Sequence, residues 1–339
     1  MTATRTSELD GVTVRERVGA RDLLWLTWRQ HRWMIVSGAV LAAALAGYIL
    51  WNAAAITPGS YQQCGGFCLS PQFFGLFYGR EGLADLQIDL TVGFGWMVAV
   101  FWAAPLLARE YDQRTNLLAW SQDVASTRWL AGKVVPLVVV AVGLAAALGA
   151  AAGTLGYRLV TVDNSFNSFN EFSGFHFEAY PPLQMAYALF GFALGLAMSA
   201  LVRRTVPAMA GTAVLYIGVR VAVYFARPYY LPVVRATGAP GDYPFARLGR
   251  GNLDLANGDL DSAGNVIPPD QIRLHGDPGS FTAYQDSLRR DGVVATFTDY
   301  QPAYRLVPFR LIETGIFVLL AAALFTVVWL RMRRSTSTS

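Results

Sequence analysis

Polar and apolar positions along the chain fall into long blocks rather than into alternation or a narrow helical stripe. Six stretches, near 33 to 52, 91 to 108, 134 to 157, 183 to 202, 205 to 226 and 306 to 330, are apolar at most positions and stand between polar segments. Roughly 20 residues of helix cross the hydrocarbon of a bilayer. Each stretch therefore predicts a transmembrane helix, and the expected fold class is an all-α polytopic membrane protein with six spans. Only Arg203 and Arg204 separate the fourth span from the fifth. The first 32 residues are polar and arginine-rich, and Trp33 to Trp51 lacks an obvious small-residue cleavage site. The expectation is a retained anchor rather than a cleaved signal peptide.

The segments between the spans carry patterns of their own. Over residues 20 to 33, Leu24, Trp25 and Trp28 share one helical side and Arg29 and Arg32 another, which predicts an amphipathic interfacial helix before the first span; the plainer alternative is a belt of Trp and Arg flanking that span. Residues 227 to 305 are rich in turn formers, among them Gly238, Pro240-Gly241, Asn257-Gly258, Pro268-Pro269 and Gly276-Asp277-Pro278-Gly279. They predict a small external subdomain. Within it, Leu253 and Leu255 before Asn257-Gly258 suggest a short hairpin. Phe281, Tyr284 and Leu288 have helical spacing ahead of a stop at Gly292. Asp259, Asp261, Gly264 and Asp270 match part of a calcium-loop spacing, but Ala263 and Pro268-Pro269 break it.

Composition supports the membrane assignment: 54% of residues are hydrophobic and only 15% charged, a balance that leaves too little polar surface for a soluble chain of 339 residues. The net charge of +4 matters less than its placement. With a cytoplasmic amino terminus, the inside segments carry 15 basic residues, whereas the two short outside loops carry only Arg80 and Arg158. The positive-inside rule then puts both termini in the cytoplasm. The expected organisation is a cytoplasmic amino terminus (1–32), spans 1 to 5 with a loop at 109–133 (33–226), an extracellular subdomain (227–305), span 6 (306–330) and a cytoplasmic tail (331–339).

Catalytic signatures are missing. The single lysine, Lys133, follows Gly132 without the glycine pattern or Ser/Thr of a phosphate-binding loop, so the chain is not expected to bind ATP or Mg itself. His31, His176 and His275 form no His-Glu-x-x-His pattern, and no metal, catalytic residue or nucleic-acid partner is expected. Cys64 and Cys68, in Cys-Gly-Gly-Phe-Cys on the predicted outside, are expected to form a disulfide, with free thiols or metal as alternatives. Arg220 lies inside the fifth span, and Arg310 and Glu313 lie near the outer end of the sixth. Intramembrane charges are costly unless paired or facing water. They either line a translocation path or pair for structural reasons, Glu313 with Arg310 or Arg220. Gly149-x-x-x-Gly153 and Gly191-x-x-x-Gly195 predict close helix packing within a bundle or a dimer.

One segment is more specific. Between spans 2 and 3 runs Arg109-Glu110-Tyr111-Asp112-Gln113-Arg114-Thr115-Asn116-Leu117-Leu118-Ala119-Trp120-Ser121-Gln122, then Ser126-Thr127-Arg128-Trp129-Leu130-Ala131-Gly132-Lys133. Tyr300-Gln301-Pro302-Ala303, Arg305, Pro308-Phe309 and Ile312-Glu313-Thr314-Gly315 lead into the last span. In both segments the sequence resembles the ABC-2-type permeases of ABC transporters, in a subgroup common among actinobacteria; the departures are Asn116, where a Gly is usual, and the absence of an aromatic near Leu306 or Val307. The resemblance implies a permease subunit of the plasma membrane, without enzymatic activity of its own. It further implies an ABC ATP-binding subunit that carries ATP and Mg, a second permease chain, and export as the direction of transport.

The resemblance also implies that the loop between spans 2 and 3 forms a coupling helix docking on the ATPase. In this sequence Asn116 would cap that helix, Leu117, Leu118 and Trp120 would form its apolar plug, and Arg109, Glu110, Arg114, Arg128 and Lys133 its polar surroundings. The competing reading is an amphipathic segment lying in the lipid headgroups. Rivals at the level of function are a secondary transporter, for which no internal repeat is found, and a membrane-anchored sensor or scaffold.

Overall fold

The computed structural model describes residues 19–56, 80–112, 126–162, 171–172, 174–244, 251–273 and 281–336. It is mostly helical. Among the described residues six helices are long and apolar enough to cross a membrane, over Leu24–Ala55, Leu86–Asp112, Arg128–Val160, Pro181–Val202, Thr205–Tyr229 and Ala303–Arg333. All six stretches expected from the apolar pattern fall within them. Cys64, Cys68, Arg114, Asn116, Leu117, Leu118 and Trp120 lie outside the described residues, so the proposed disulfide and the body of the coupling helix do too.

The first span is α1, Ala20–Ala55, one unbroken helix of 36 residues. At 1.5 Å per residue it is about 54 Å long, well beyond a hydrocarbon core of about 30 Å. The interfacial helix expected over residues 20 to 33 is therefore not a separate element but the continuous start of this rod. No Pro or Gly falls between Ala20 and Ser37 to break it.

The second span comprises α2 (Arg80–Met97), a π-helical turn (Val98–Ala103) and α3 (Ala104–Asp112). Pro105 accounts for the change of winding. In a regular helix its ring would collide with the carbonyl of Phe101, and the wider turn before it relieves that collision, with Ala104 N–H donating to the Ala99 carbonyl five residues back. Ser199 of the fourth span completes the repair: its Oγ accepts the N–H groups of Leu107 at 3.1 Å and Ala108 at 2.6 Å.

The remaining spans are α4 (Ser126–Val162), α5 (Pro181–Val202), α6 (Thr205–Ala226) and α8 (Leu306–Thr336). Pro181 and Pro182 start α5, where missing N–H groups cost nothing, and Arg203 in the left-handed region (φ 56°) ends it. Span 4 is the hub: it packs against spans 2, 3, 5 and 6, while span 1 leans chiefly on span 3. Spans 2 and 4 are mostly enclosed, whereas spans 1, 5 and 6 turn apolar faces outward. Both glycine pairs are used inside the chain. A Cβ at Gly191 would lie 2.6 Å from the Gly95 carbonyl and one at Gly195 2.4 Å from that of Ala99; one at Gly149 would lie 2.9 Å from Pro181 Cα. Their close packing thus joins spans 2 and 4, and span 3 to the start of span 4.

Residues between spans 5 and 6 correct the all-α expectation. They contain a four-stranded antiparallel sheet of order β1-β4-β2-β3, with β1 Val234–Gly238, β2 Leu253–Leu260, β3 Val266–Ile267 and β4 Ala295–Gln301. Helix α7, Phe281–Arg290, occupies the place its apolar spacing predicts, and the backbone turns away at Gly292 (φ 85°). Asn257-Gly258 is not a hairpin turn. β2 runs through it, because Gly258 faces Phe297 across the ladder and a Cβ there would stand 2.9 Å from that ring. The chain reverses at Asp261–Asn265 instead, with Gly264 at φ 83°. Asp261 Oδ1 accepts the N–H groups of Ala263 and Asn265, both at 2.8 Å. That carboxylate, one of those in the partial calcium spacing, is a turn former here. Gln301 clamps the sheet to the bundle, its Nε2 donating to the carbonyls of Pro228 (3.0 Å) and Leu231 (2.8 Å) where the chain leaves span 5.

Candidate functional site

Two constellations stand out, one at each end of the bundle. Beneath the sheet, three elements bring four charges into the interior. Glu178 lies on the short segment leading into span 4, Arg220 and Arg227 on the last turns of span 5, and Glu313 on span 6; Glu178, Arg227 and Glu313 are almost wholly enclosed. Arg227 donates to both oxygens of Glu313, Nε to Oε2 at 2.9 Å and Nη2 to Oε1 at 3.0 Å, and Nη2 also reaches Glu178 Oε1 at 2.7 Å. Arg220 pairs with the other Glu178 oxygen and lies over the Tyr187 ring, 3.6 Å from its centroid. Tyr187 and Tyr230 hydroxyls donate to Glu313 at 2.5 and 3.1 Å. Two carboxylates thus meet two guanidiniums with no net charge, which is how ionised groups tolerate a low-dielectric interior.

Sequence reasoning named Glu313, Arg220 and Arg310 but mismatched the partners. Glu313 pairs with neither Arg310 nor Arg220. Arg310 turns to the segment before span 4, its Nε donating to the Phe177 carbonyl at 2.9 Å and Nη2 to that of His176 at 3.3 Å, with Glu171 3.9 Å away. Three residues apart on one helix, Arg310 and Glu313 point to different neighbours. Glu178 and Arg227 were missed; the available signal was a carboxylate just before one span and an arginine just after another, at the same end of the bundle. Gln301 and Phe309 are buried, and Arg305 Nη1 donates to Gln301 Oε1 and to the Pro232 carbonyl, both at 2.7 Å.

At the opposite end, spans 2 and 3 approach the 109–133 loop. Lys133 is buried, pairs with Glu110 and stacks on Trp129, 4.5 Å from the ring centroid. Thr27 of span 1 donates to the Gly132 carbonyl at 3.1 Å. Asp112 accepts from the N–H (3.0 Å) and hydroxyl (2.7 Å) of Thr205, capping the start of span 5. Arg109 and Arg128 are exposed. Of the described residues assigned to the coupling surface, Glu110 and Lys133 are engaged inside the bundle, and Arg109 and Arg128 lie on its surface.

Among the described residues no group of His, Cys, Asp and Glu could hold a metal ion. The outward faces of spans 2 and 5 enclose a groove of about 620 Å³ beside Arg220.

No curated protein and no solved structure matches the chain at a significant level. One family model does, the one described as ABC-2 membrane transporter related, over residues 33–227, which span the first five transmembrane helices. That match covers more than half of the 339 residues. With six spans and this match, the molecule is a multi-pass permease subunit of an ABC transporter, and the chain belongs to the ABC-2 membrane transporter related family.

Proposed function

We propose that this permease is the membrane half of an ATP-driven exporter of the plasma membrane, with both termini cytoplasmic and the sheet subdomain outside. Two such chains, identical or homologous, pair with two ATPase subunits that carry ATP and Mg. The residues joining spans 2 and 3 dock on the ATPase. The observation that carries this reading is the way the stems of that loop are tied down. Glu110–Lys133 joins span 2 to span 3, Thr27 joins span 1 to span 3, and Asp112 joins span 2 to span 5. A push on the loop is therefore shared by four spans instead of bending one, and a permease needs this in order to turn ATP-driven closure into helix movement. Fifteen basic residues on the loop side and termini support the orientation.

A secondary transporter would also carry charges in the membrane. Here Glu178 and Glu313, the two enclosed carboxylates beneath the sheet, are each matched by an arginine, which favours a structural brace over an ion relay. A membrane-anchored sensor or scaffold would need no fixed loop stems.

Co-expression with candidate ATPase subunits, followed by purification in nanodiscs, tests the reading. Wild type is expected to assemble and to stimulate ATP hydrolysis. Leu117→Asp and Trp120→Ala are expected to weaken assembly about 30-fold, as loss of an interface hot spot of about 2 kcal/mol does, while keeping the wild-type elution profile alone. Absence of assembly with every ATPase would overturn ATP coupling and move the assignment to the secondary transporter or the scaffold.

A further inference from the structure

The groove between spans 2 and 5 has a composition that the permease assignment leaves unexplained. Its walls are apolar and face outward: Ile217, Val221 and Phe225 of span 5 are 53%, 47% and 69% exposed, opposite Val92. Three residues with polar groups, Trp96, Tyr216 and Arg220, border its inner side. Tyr216 is 3% exposed, yet its hydroxyl, which lies against Gly95, has no hydrogen-bond partner among the described residues. The Trp96 indole N–H is buried and likewise unpartnered. Of the Arg220 guanidinium, only Nη2 is engaged by a carboxylate among the described residues. Indole and guanidinium can only donate. Buried donors at membrane depth without an acceptor are costly, because hydrocarbon offers none.

We infer that this groove takes one amphiphile from the bilayer, its apolar chain along span 5 and an acceptor oxygen, ester, amide or phosphate, against Tyr216, Trp96 and Arg220. The volume lies within the range of about 300 to 1,000 Å³ typical of small-molecule sites. Glu178 also borders the groove, but Arg220 and Arg227 already engage it, so it does not repel an acceptor headgroup. A helix of a second copy would fill the groove poorly, since a membrane helix satisfies its own carbonyls and brings few acceptors. The shared chemistry, an acceptor-bearing amphiphile, belongs to a resident bilayer lipid and to an exported molecule alike. Only the second identity rests on the exporter reading.

Gly93 provides the test. It lines the groove, and a Cβ placed there meets nothing within 4 Å. Gly93→Leu therefore brings bulk into the groove from an unobstructed Cβ and favours the helix. The purified chain, without any ATPase, is reconstituted with a phosphatidylglycerol bearing a diazirine on its acyl chain and irradiated, and the labelled peptides are mapped. Labelling over residues 92–96 and 217–225 is expected to exceed that on Val40 and Leu41, which are exposed on span 1. It should fall to that background in Gly93→Leu, with unfolding temperature unchanged or raised. Tyr216→Phe and Trp96→Phe should each weaken it about fivefold, the effect of one lost hydrogen bond. Competition by dihexanoyl phosphatidylglycerol added from water identifies an exchanging, cargo-like ligand; donor-dependent labelling without such competition identifies a resident lipid. Both outcomes uphold the site. Labelling unchanged in Gly93→Leu and Tyr216→Phe, or displaced equally well by hexadecane, would overturn it. Because no ATPase is present, this outcome is independent of ATP coupling.

Discussion

Glu313→Gln is expected to lower stability by about 3 to 5 kcal/mol, the cost of leaving one member of a buried ion pair without its partner. The glutamine can no longer match Arg227, which is enclosed and donates two hydrogen bonds to Glu313. It also disturbs Tyr187 and Tyr230, whose hydroxyls donate to the same carboxylate. The measurement is thermal unfolding in detergent at a fixed scan rate, since unfolding of such chains is commonly irreversible. The pairing suggests a rescue. The network separates into two neutral pairs, Arg227 with Glu313 and Arg220 with Glu178, joined by the contact from Arg227 to Glu178. Removing one pair whole, as Glu313→Leu with Arg227→Met, should recover most of the loss, because no bare charge remains. Additive losses in the double variant would refute a charge-balanced brace. Transport by the rescued protein would show that the brace holds the spans without moving them; transport lost with stability restored would place Arg227 and Glu313 in the moving parts.

The network illustrates where the sequence was legible. The six spans follow from the length of apolar runs, a signal that tertiary context does not override because backbone groups in a bilayer have no other way to be satisfied. Charges within those runs, such as Glu313, Arg220 and Arg310, mark themselves by being expensive. Their partners do not. Glu178 sits in a polar-looking linker, and Arg227 looks like an ordinary interfacial flank until span 5 and the segment before span 4 are seen to converge. The sheet was hidden for another reason. Asn257-Gly258 has the residues of a tight turn, but the choice between turn and strand is made by β4, about 40 residues away, whose Phe297 needs the space that Gly258 leaves. Likewise the interfacial helix was read from the two-sided placement of Leu24, Trp25 and Trp28 against Arg29 and Arg32, a pattern that does not say where a helix ends, and winding continues as long as no residue breaks it.

Gly195→Ala is expected to destabilise the bundle although it should favour the helix in isolation. Alanine normally gains up to about 1 kcal/mol over glycine in a helix interior. At Gly195 the new methyl would stand 2.4 Å from the Ala99 carbonyl, 2.7 Å from Ala103 Cβ and 2.8 Å from the Ala104 nitrogen. Two of these atoms are backbone and cannot rotate away, so span 4 must retreat from span 2, at a cost of about 1 to 3 kcal/mol by analogy with overpacked cores. The retreat strikes the least regular part of the helix. The Ala99 carbonyl closes the π turn, and Ser199, one turn along span 4, holds the N–H groups of Leu107 and Ala108. Gly195→Leu should prevent assembly of the bundle and appear as loss of the monodisperse peak in size-exclusion chromatography. Gly93→Ala is the control on span 2 outside that contact, since a Cβ there meets nothing, and it should leave the unfolding temperature unchanged or raise it. If Gly195→Ala matched Gly93→Ala, the contact between spans 2 and 4 would have to be a sliding one; opposite signs would identify it as the fixed axis about which the peripheral spans 1, 5 and 6 are arranged.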